Sequence, residues 1–262
     1  MVDHFLERLH KVKGPFFGVY YSFVPHFDYH DYGPEYRILP DQEEILHRYF
    51  NNLRLLDRQI ERIVNRLKQL GLYKKTLIVL TGDHGEAFNQ HPNNLTHSRL
   101  SFDENLRVPA ILHLPGVLLP REVTAHTSHV DLLPTMLDIL GVPYEPRLFQ
   151  GESLARDGST RRYTFAAGNE DTYTAISGEG IKLQISPRYD TCWAYDLKAD
   201  PGERSPLSCA EHGAHLEALQ VMRGHQARVL RAYSAARKRG LPWHGLRHPS
   251  AKGAPATAPD TP

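Results

Sequence analysis

The sequence predicts an α/β protein in which helices flank a mostly parallel sheet, followed by a small antiparallel sheet with a packing helix. Short apolar runs and a long amphipathic segment alternate in the first half of the chain, and beyond Gly151 the pattern changes to short strand-like runs separated by Gly, Pro and Asp. The predicted divisions are residues 1–150 for the α/β domain, 151–240 for the small sheet and helix, and 241–262 for a disordered Pro- and Ala-rich tail.

The first half of the chain predicts a strand, a helix and a second strand. Pro15–Val24 is almost wholly apolar, which is typical of a strand covered on both faces. Between Asp41 and Gly71 apolar residues recur every three or four positions and would line one face of a helix. Thr76–Leu80 is the next buried strand. A βαβ unit with a right-handed crossover places both strands parallel, and parallel sheets bind ligands at the carboxyl ends of their strands.

The later elements follow from the same patterns. Val108–Gly116 predicts a third short strand, and His129–Gly141 predicts a helix. The runs RYTFAAG, TYTAIS, IKLQIS and CWAYDL predict a small antiparallel sheet. Apolar residues in helical spacing over His215–Tyr233 predict a helix that packs on that sheet.

Composition limits the classes of partner. Lys and Arg number 31 and Asp and Glu number 30, so the net charge creates no field that would attract nucleic acid. No apolar run reaches the length of a membrane span. Cys192 and Cys209 make neither a disulfide framework nor paired zinc-ligand spacing, and one bridge between them stays open. The oligomeric state is left undetermined by the sequence.

A carboxylate and an imidazole stand side by side directly after the strand at Thr76–Leu80. Asp83 offers a hard oxygen and His84 a nitrogen, a pair that suits a divalent cation when further carboxylates complete the shell. The alternative is an ordinary turn, in which Asp83 caps the following segment and Gly85 adopts a left-handed conformation.

Three further histidines are candidates for the same site. His97 follows His84 by thirteen residues, and a loop that returns an imidazole to a metal would place a proton donor against an anionic substrate. His91 lies in that loop, with solvent exposure as an equal alternative. After the first predicted strand, His26 is closer to the strand end than His30 and is therefore the candidate, with a purely structural role as its alternative.

Several blocks of sequence together resemble a known family. In order they are PFFGVYYSFVPHFDY, NNLRLLDRQIERIVNRLKQLGLYKKT, LIVLTGDHGE, FDENLRVPAILHLPG, HVDLLPTMLDILGV, FQGESL and YDLKADPGERSPL. The chain resembles the sulfatase family of the alkaline-phosphatase-like superfamily over about residues 14–210. The blocks are similar to the C-terminal portion of that catalytic domain.

The resemblance implies a divalent metal that holds an anionic ester while a nucleophile attacks sulfur or phosphorus. Asp83 and His84 match the second pair of metal ligands, and His97 lies where relatives place a histidine or lysine on the ester. His26 matches a histidine that follows the corresponding strand. Calcium is the implied metal, with zinc and manganese as alternatives. The implied substrate is a sulfate ester of a small molecule, glycan or glycolipid, and the implied location of a longer form is periplasmic or membrane-associated.

Other parts of the family's site are not found in these residues. Sulfatases also use paired acidic ligands on an early strand and a nucleophile within C-x-P-x-R or S-x-P-x-R, and neither cysteine fits that motif. We therefore expect the chain to be part of a longer enzyme and to be inactive alone. Two alternatives stay open: a phosphoethanolamine or phosphoryl transferase or phosphodiesterase of the same superfamily, and a non-catalytic binding or regulatory member.

Overall fold

The structure is a computed structural model that describes residues 1–39, 44–97, 100–156, 161–168 and 172–239. The described chain is α/β and forms two compact units. Of the described residues, the first unit comprises those within 1–97 and 104–123, and the second comprises 100–103 and those within 124–239. The chain therefore enters the second unit twice. The division predicted at residue 150 stays a prediction, and the predicted tail at 241–262 lies outside the described residues.

Helix α2 is the long amphipathic helix of the first unit. It spans Ile45–Gln69, as predicted, and its chain turns at Gly71 with φ +68°. A shorter helix, α1 (Val2–Lys11), was not predicted and packs beside α2. An ion pair between Asp3 and Arg62 joins the two helices.

Four short strands complete the first unit. Strand β1 (Ile78–Thr81) pairs with β4 (Ala110–His113), and β2 (Ala87–Phe88) pairs with β3 (Leu95–Thr96) to form a hairpin that we call the β2–β3 hairpin. The short helix α3 (Asp103–Leu106) precedes β4. Both strands that the sequence predicted at β1 and β4 are therefore confirmed.

The predicted parallel βαβ unit is not confirmed. Strands β1 and β4 are antiparallel, and Pro15–Val24 belongs to no strand of the described chain. Alternate side chains of this segment face α2, where the hydroxyls of Tyr20 and Ser22 donate to Gln59 at 2.9 and 3.3 Å. The strand predicted from this almost wholly apolar run is therefore not found, because a strand requires a backbone partner, which an apolar pattern does not supply.

The second unit contains the predicted antiparallel sheet. Its strands are β5 (Tyr163–Ala167), β6 (Tyr173–Ser177), β7 (Ile181–Ser186) and β8 (Thr191–Asp196), in that order across the sheet. Helix α4 (Leu132–Ile139) precedes the sheet, and α5 (Gly213–Lys238) follows it. All of the elements predicted after residue 129 are confirmed.

The core of the second unit lies between the sheet and α5. Ala175, Leu183 and Ala194 are aligned across β6, β7 and β8, and each is fully buried. Leu219 of α5 packs on this row and is also fully buried. This packing explains why helical periodicity in the sequence located α5 correctly, since burial of large aliphatic side chains contributes strongly to stability.

A buried ion pair lies on the opposite face of the sheet. Lys182 is 0% exposed, and its Nζ lies 2.6 Å from Oε1 of Glu203. Burial raises the pKa of Glu203, although the charge of Lys182 acts in the opposite direction. Glu203 also accepts a hydrogen bond from the backbone N–H of Asp103. The ring of Phe102 stacks on that of Trp193, with the ring centroids 6.3 Å apart. The segment before α3 is therefore anchored to the small sheet.

The two cysteines form a disulfide bond within the second unit. Cys192 of β8 is bonded to Cys209, which precedes α5, with 17 residues of sequence separation. Cys192 and Cys209 also pack against the core cluster of the sheet and α5. The bond thus links the last strand to the start of the helix that covers the sheet. Among the described residues, no helix has both the length and the apolar character to cross a membrane.

Removal of this disulfide should destabilise the second unit. Closure of a loop of this length limits the unfolded chain and is worth about 3 kcal/mol. We expect the double variant C192S/C209S to lower the free energy of unfolding by about that amount, measured by urea denaturation. The wild-type chain in reductant should match the variant, and equal stability of the oxidised and reduced chains would contradict the prediction.

A second buried ion pair fixes the entry to α4. Asp131 is 1% exposed, and its carboxylate accepts from the backbone N–H groups of Ser128 and Glu152 at 2.8 and 2.9 Å and from Arg161. Burial raises the pKa of Asp131. The hydrogen bonds from Arg161 and from the two backbone amides together lower it by more, so the net pKa is below its usual value.

Loss of the Asp131 charge should destabilise the protein and reduce its acid sensitivity. Asp131→Asn leaves Arg161 buried without its counter-ion, which should cost about 3 kcal/mol. Because the folded-state pKa is lowered, the stabilisation is present above the unfolded pKa and is lost as pH falls through the folded pKa. Denaturation measured across acidic pH should show a smaller pH dependence in the variant.

Glu145→Gln provides the matched control. Glu145 pairs with Arg147 in the same unit, but both side chains are exposed, so loss of this charge should change stability little. Equal effects of the two substitutions would show that burial of the Asp131 pair does not determine its contribution.

Candidate active site

The predicted metal ligands lie in the loop that follows β1. Oδ2 of Asp83 accepts a hydrogen bond from the hydroxyl of Tyr21 at 2.9 Å, and Oδ1 accepts from the backbone N–H of His84 at 3.1 Å. Partial burial raises the pKa of Asp83. The hydrogen bond from Tyr21 and the proximity of His84 together lower it by more, so the net pKa lies below its usual value. The carboxylate is therefore ionised at neutral pH.

The ring of His84 is oriented by the backbone. Its Nδ1 lies 2.9 Å from the carbonyl oxygen of Gly85. Because a carbonyl oxygen only accepts, Nδ1 must carry the hydrogen, and Nε2 of the neutral ring keeps the lone pair. Nε2 lies 3.7 Å from Oδ1 of Asp83. A nitrogen and an oxygen donor thus lie next to each other, as two ligands of one cation would.

Gly85 holds this loop against α3. Its N–H donates to the carbonyl of Asn105 at 2.8 Å. A Cβ at this position would lie 2.1 Å from the carbonyl oxygen of Glu104, which is backbone and cannot rotate away. A residue without a side chain is therefore required here, because the loop and helix backbones touch directly.

The β2–β3 hairpin brings His97 to the same place. Ala87 is paired with Thr96, so Glu86 and His97 flank the end of the ladder on opposite strands. Nδ1 of His97 lies 3.3 Å from Oε1 of Glu86. Thr96 adopts a left-handed conformation with φ +66°, which is unusual for a β-branched residue. Asn105 donates to the Thr96 carbonyl at 2.8 Å and supports this backbone.

A buried polar network supports the turn of the hairpin. His91, predicted as either a site residue or an exposed one, is buried, and its Nδ1 lies 2.7 Å from Oε1 of Glu104. Asn94 donates to the same carboxylate at 2.8 Å and to Asn105 at 2.6 Å. Burial raises the pKa of Glu104, but the bonds from His91 and Asn94 contribute to a net pKa below the usual value. The role of His91 here is structural.

The three candidate histidines converge. The His97 ring stacks on the His84 ring with centroids 4.0 Å apart, and the His26 ring meets His97 edge-on at 5.7 Å. Nδ1 of His26 is bonded to the carbonyl of Phe27, so this ring too keeps Nε2 for other partners. His30 instead packs against Tyr32. The structure thus brings together Asp83, His84, His97 and His26, and their catalytic and metal-binding roles stay predictions.

Two residues of the cluster were missed by the sequence reasoning. Tyr21 lies in an apolar run and was therefore taken as a buried strand residue. Its side chain is in fact exposed, as are those of Val19 and Phe23 two positions away on either side. Glu86 immediately follows Gly85 and was not considered, because the short β2–β3 hairpin that pairs it with His97 was not recognised.

The described residues supply only part of a metal shell. Within the ranges that the structure describes, no three His, Cys, Asp or Glu side chains are grouped as metal ligands would be. Asp83 and His84 fit two positions, since their free donor atoms are adjacent and the imidazole is oriented by a backbone carbonyl. Both cysteines are in the disulfide, so neither is a free thiol.

Comparison with known proteins identifies the family. A family model for sulfatases matches residues 1–142, more than half of the chain. The chain belongs to the sulfatase family.

Individual relatives match different shares of the chain, and the chain covers only a part of each relative. It is 26% identical over 215 residues to the lipoteichoic acid synthase-like protein YvgJ of Bacillus subtilis, a match of 74% of this chain and 34% of that protein. It is 36% identical over 103 residues to arylsulfatase K of Bos taurus, covering 39% of this chain and 18% of the relative. The chain thus spans about a third or less of the length of these relatives.

Solved structures show the same fold. A structure determined in complex with its substrate D-glucosamine-2-N,6-O-disulfate aligns with a TM-score of 0.53 and 24% identity, covering 70% of this chain and 40% of that one. This likeness supports the α/β fold of the sulfatase structures and does not bear on the role of any residue.

Substitution of Gly85 should displace the site loop. In Gly85→Ala the added Cβ must push the loop away from α3, and such overpacking costs about 1–3 kcal/mol. We expect lower thermal stability and loss of the ring-stacking shift of His84 and His97 in NMR spectra. Gly18→Ala is the control, because its Cβ would make ordinary contacts at 3.6 Å or more. Unchanged histidine spectra in Gly85→Ala would contradict the prediction.

Proposed function

We propose that this chain supplies part of the active site of a metal-dependent sulfate-ester hydrolase. In this proposal Asp83 and His84 bind the metal, and His97 and His26 contact the ester. The observation that carries the proposal is the convergence of His26, His84 and His97, with ring centroids 4.0 and 5.7 Å apart, beside the ionised Asp83. Membership in the sulfatase family supports the reaction type.

The electrostatics of the cluster favour a bound cation. An ionised carboxylate at Asp83 would repel a sulfate ester at short range unless a positive charge lies between them. A divalent ion of the calcium, zinc or manganese type would supply that charge and polarise the ester oxygens. Because two protein donors bind a hard dication weakly, we infer that further carboxylates from outside these residues complete the shell.

The histidines would act on the ester itself. Nδ1 of His97 faces Glu86, so Nε2 is the nitrogen left to hold a proton at the leaving oxygen. His26 meets the His97 ring edge-on and would bind the ester on the same side. Hydrolysis forms a bond from sulfur to the attacking oxygen and breaks the bond between sulfur and the alcohol oxygen. The departing oxygen needs one proton, which the imidazolium form of His97 would supply from Nε2, leaving a neutral ring with its hydrogen on Nδ1.

The substrate class follows from the same cluster. The imidazoles of His26 and His97, together with the cation, would recognise a compact anion, and we propose a sulfate ester carried by a small molecule, a glycan or a glycolipid. A relative in fold was solved with a sulfated glucosamine, which supports a sulfated sugar as the first compound to test.

Metal binding should depend on Asp83. We expect calorimetric titration of the chain with Ca²⁺, Zn²⁺ and Mn²⁺ to show weak binding for the metal that the site prefers. Asp83→Asn should weaken that binding by about tenfold or more, because it removes the charged ligand. Asp57→Asn is the matched control, since Asp57 is exposed on α2 and pairs with Arg54.

Activity assays separate the proposed reaction from its alternatives. In an active form that contains this chain, His97→Ala should lower the turnover of sulfate esters by about 10²–10⁴-fold, while the binding of metal stays at the wild-type level. Faster turnover of phosphate than of sulfate esters would overturn the assignment to sulfate esters. Identical metal binding by the wild type and Asp83→Asn would overturn the metal assignment.

A further inference from the structure

We propose that Glu86 is a positioning residue for His97: its carboxylate accepts the Nδ1 hydrogen, holds the ring in one tautomer and orientation, and leaves Nε2 as the nitrogen presented to the ester. The role of this contact in catalysis rests on the proposed function. The contact between Glu86 and His97 itself does not depend on that function, and it can be tested without substrate or metal.

The hairpin register places the two residues together. Because Ala87 pairs with Thr96, the next positions outward on the two strands are Glu86 and His97. Residues opposite one another at the end of an antiparallel ladder lie close enough for side-chain contact. The observed 3.3 Å between Oε1 and Nδ1 is the result of this register. A fixed backbone relation, and not a chance meeting of flexible side chains, thus determines the pair.

Burial makes Glu86 more than a surface partner. Its side chain is 7% exposed, and that of His97 is 24% exposed. The aromatic ring of Phe88, in β2 of the hairpin, packs with the rings of Tyr29 and Tyr49, with centroids 5.0 to 5.9 Å apart. Burial and then the charge of Glu86 raise the pKa of both Tyr29 and Tyr49, which places the carboxylate beside this cluster. An electrostatic contact in such surroundings is weakly screened by water.

The other two rings of the site are oriented differently. Nδ1 of His84 and Nδ1 of His26 are bonded to backbone carbonyls, so substitution cannot remove their acceptors. His97 uses a side chain for the same purpose. Its ring orientation is therefore the one that a single substitution can release, and the stacking on His84 depends on that orientation.

The test is the tautomer of His97, read from nitrogen NMR shifts of the full chain labelled at its histidines. Spectra recorded under alkaline conditions, which leave imidazoles neutral, distinguish a protonated Nδ1 from a protonated Nε2. We expect the wild type to show hydrogen on Nδ1 of His97. Glu86→Gln keeps an acceptor oxygen and should keep this tautomer, whereas Glu86→Leu should convert most of the signal to the Nε2–H form.

Glu104→Leu is the matched control, because Glu104 is also a largely buried carboxylate, and it faces His91 of the same hairpin. It should change the spectrum of His91 and leave that of His97 unchanged. A wild-type His97 with hydrogen on Nε2 would overturn the proposal even if Glu86→Leu does not fold. A Glu86→Leu spectrum identical to wild type would also overturn it. Inactivity toward sulfate esters with the expected tautomers would instead count against the proposed function alone.

Discussion

The direct contact between Gly85 and the backbone of α3 is the constraint on which the candidate site depends. It leaves no room for a side chain, and it fixes the loop that follows β1 through the hydrogen bond to Asn105. Asn105 also donates to the carbonyl of Thr96, which immediately precedes His97. One residue of α3 therefore holds both the loop with Asp83 and His84 and the strand that ends immediately before His97.

Three imidazoles in this cluster share one hydrogen-bonding pattern. In His26, His84 and His97 the Nδ1 atom faces an oxygen of the protein, so the Nε2 atom is left for an external partner. In this pattern Nδ1 donates a hydrogen bond to the protein, and Nε2 is left to bind a metal or, when it carries a proton, to donate to an ester oxygen. The ionised Asp83 adds the negative charge that a cation would balance.

The sequence identified the elements that have strong periodicity. Helix α2 and helix α5 were predicted because their apolar residues recur every three or four positions. The four strands of the small sheet were predicted from short strand-like runs separated by Gly, Pro and Asp. Helix α1 was missed, and Pro15–Val24 was assigned to a strand that it does not form. Periodicity reports which side chains are buried, whereas strand pairing depends on contacts between residues distant in sequence.

The site was predictable to the extent that strand ends and motif resemblance locate residues. Asp83, His84 and His97 were selected on those grounds and lie together in the structure. Tyr21 and Glu86 were not selected, because their contacts depend on a segment and a two-residue hairpin whose pairing has no distinct signature in the sequence. Short strands of this kind carry too few residues for a periodic signal.

The discontinuity of the second unit affects how the chain is assembled. Phe102 and Asp103 leave the ribosome well before Lys182, Trp193 and Glu203, against which they finally pack. During synthesis an aromatic ring and an acidic group must therefore stay in water until the sheet has been made. For the same reason, a fragment cut out after residue 123 would contain the small sheet but would lack Phe102 and Asp103, which pack against it near Lys182.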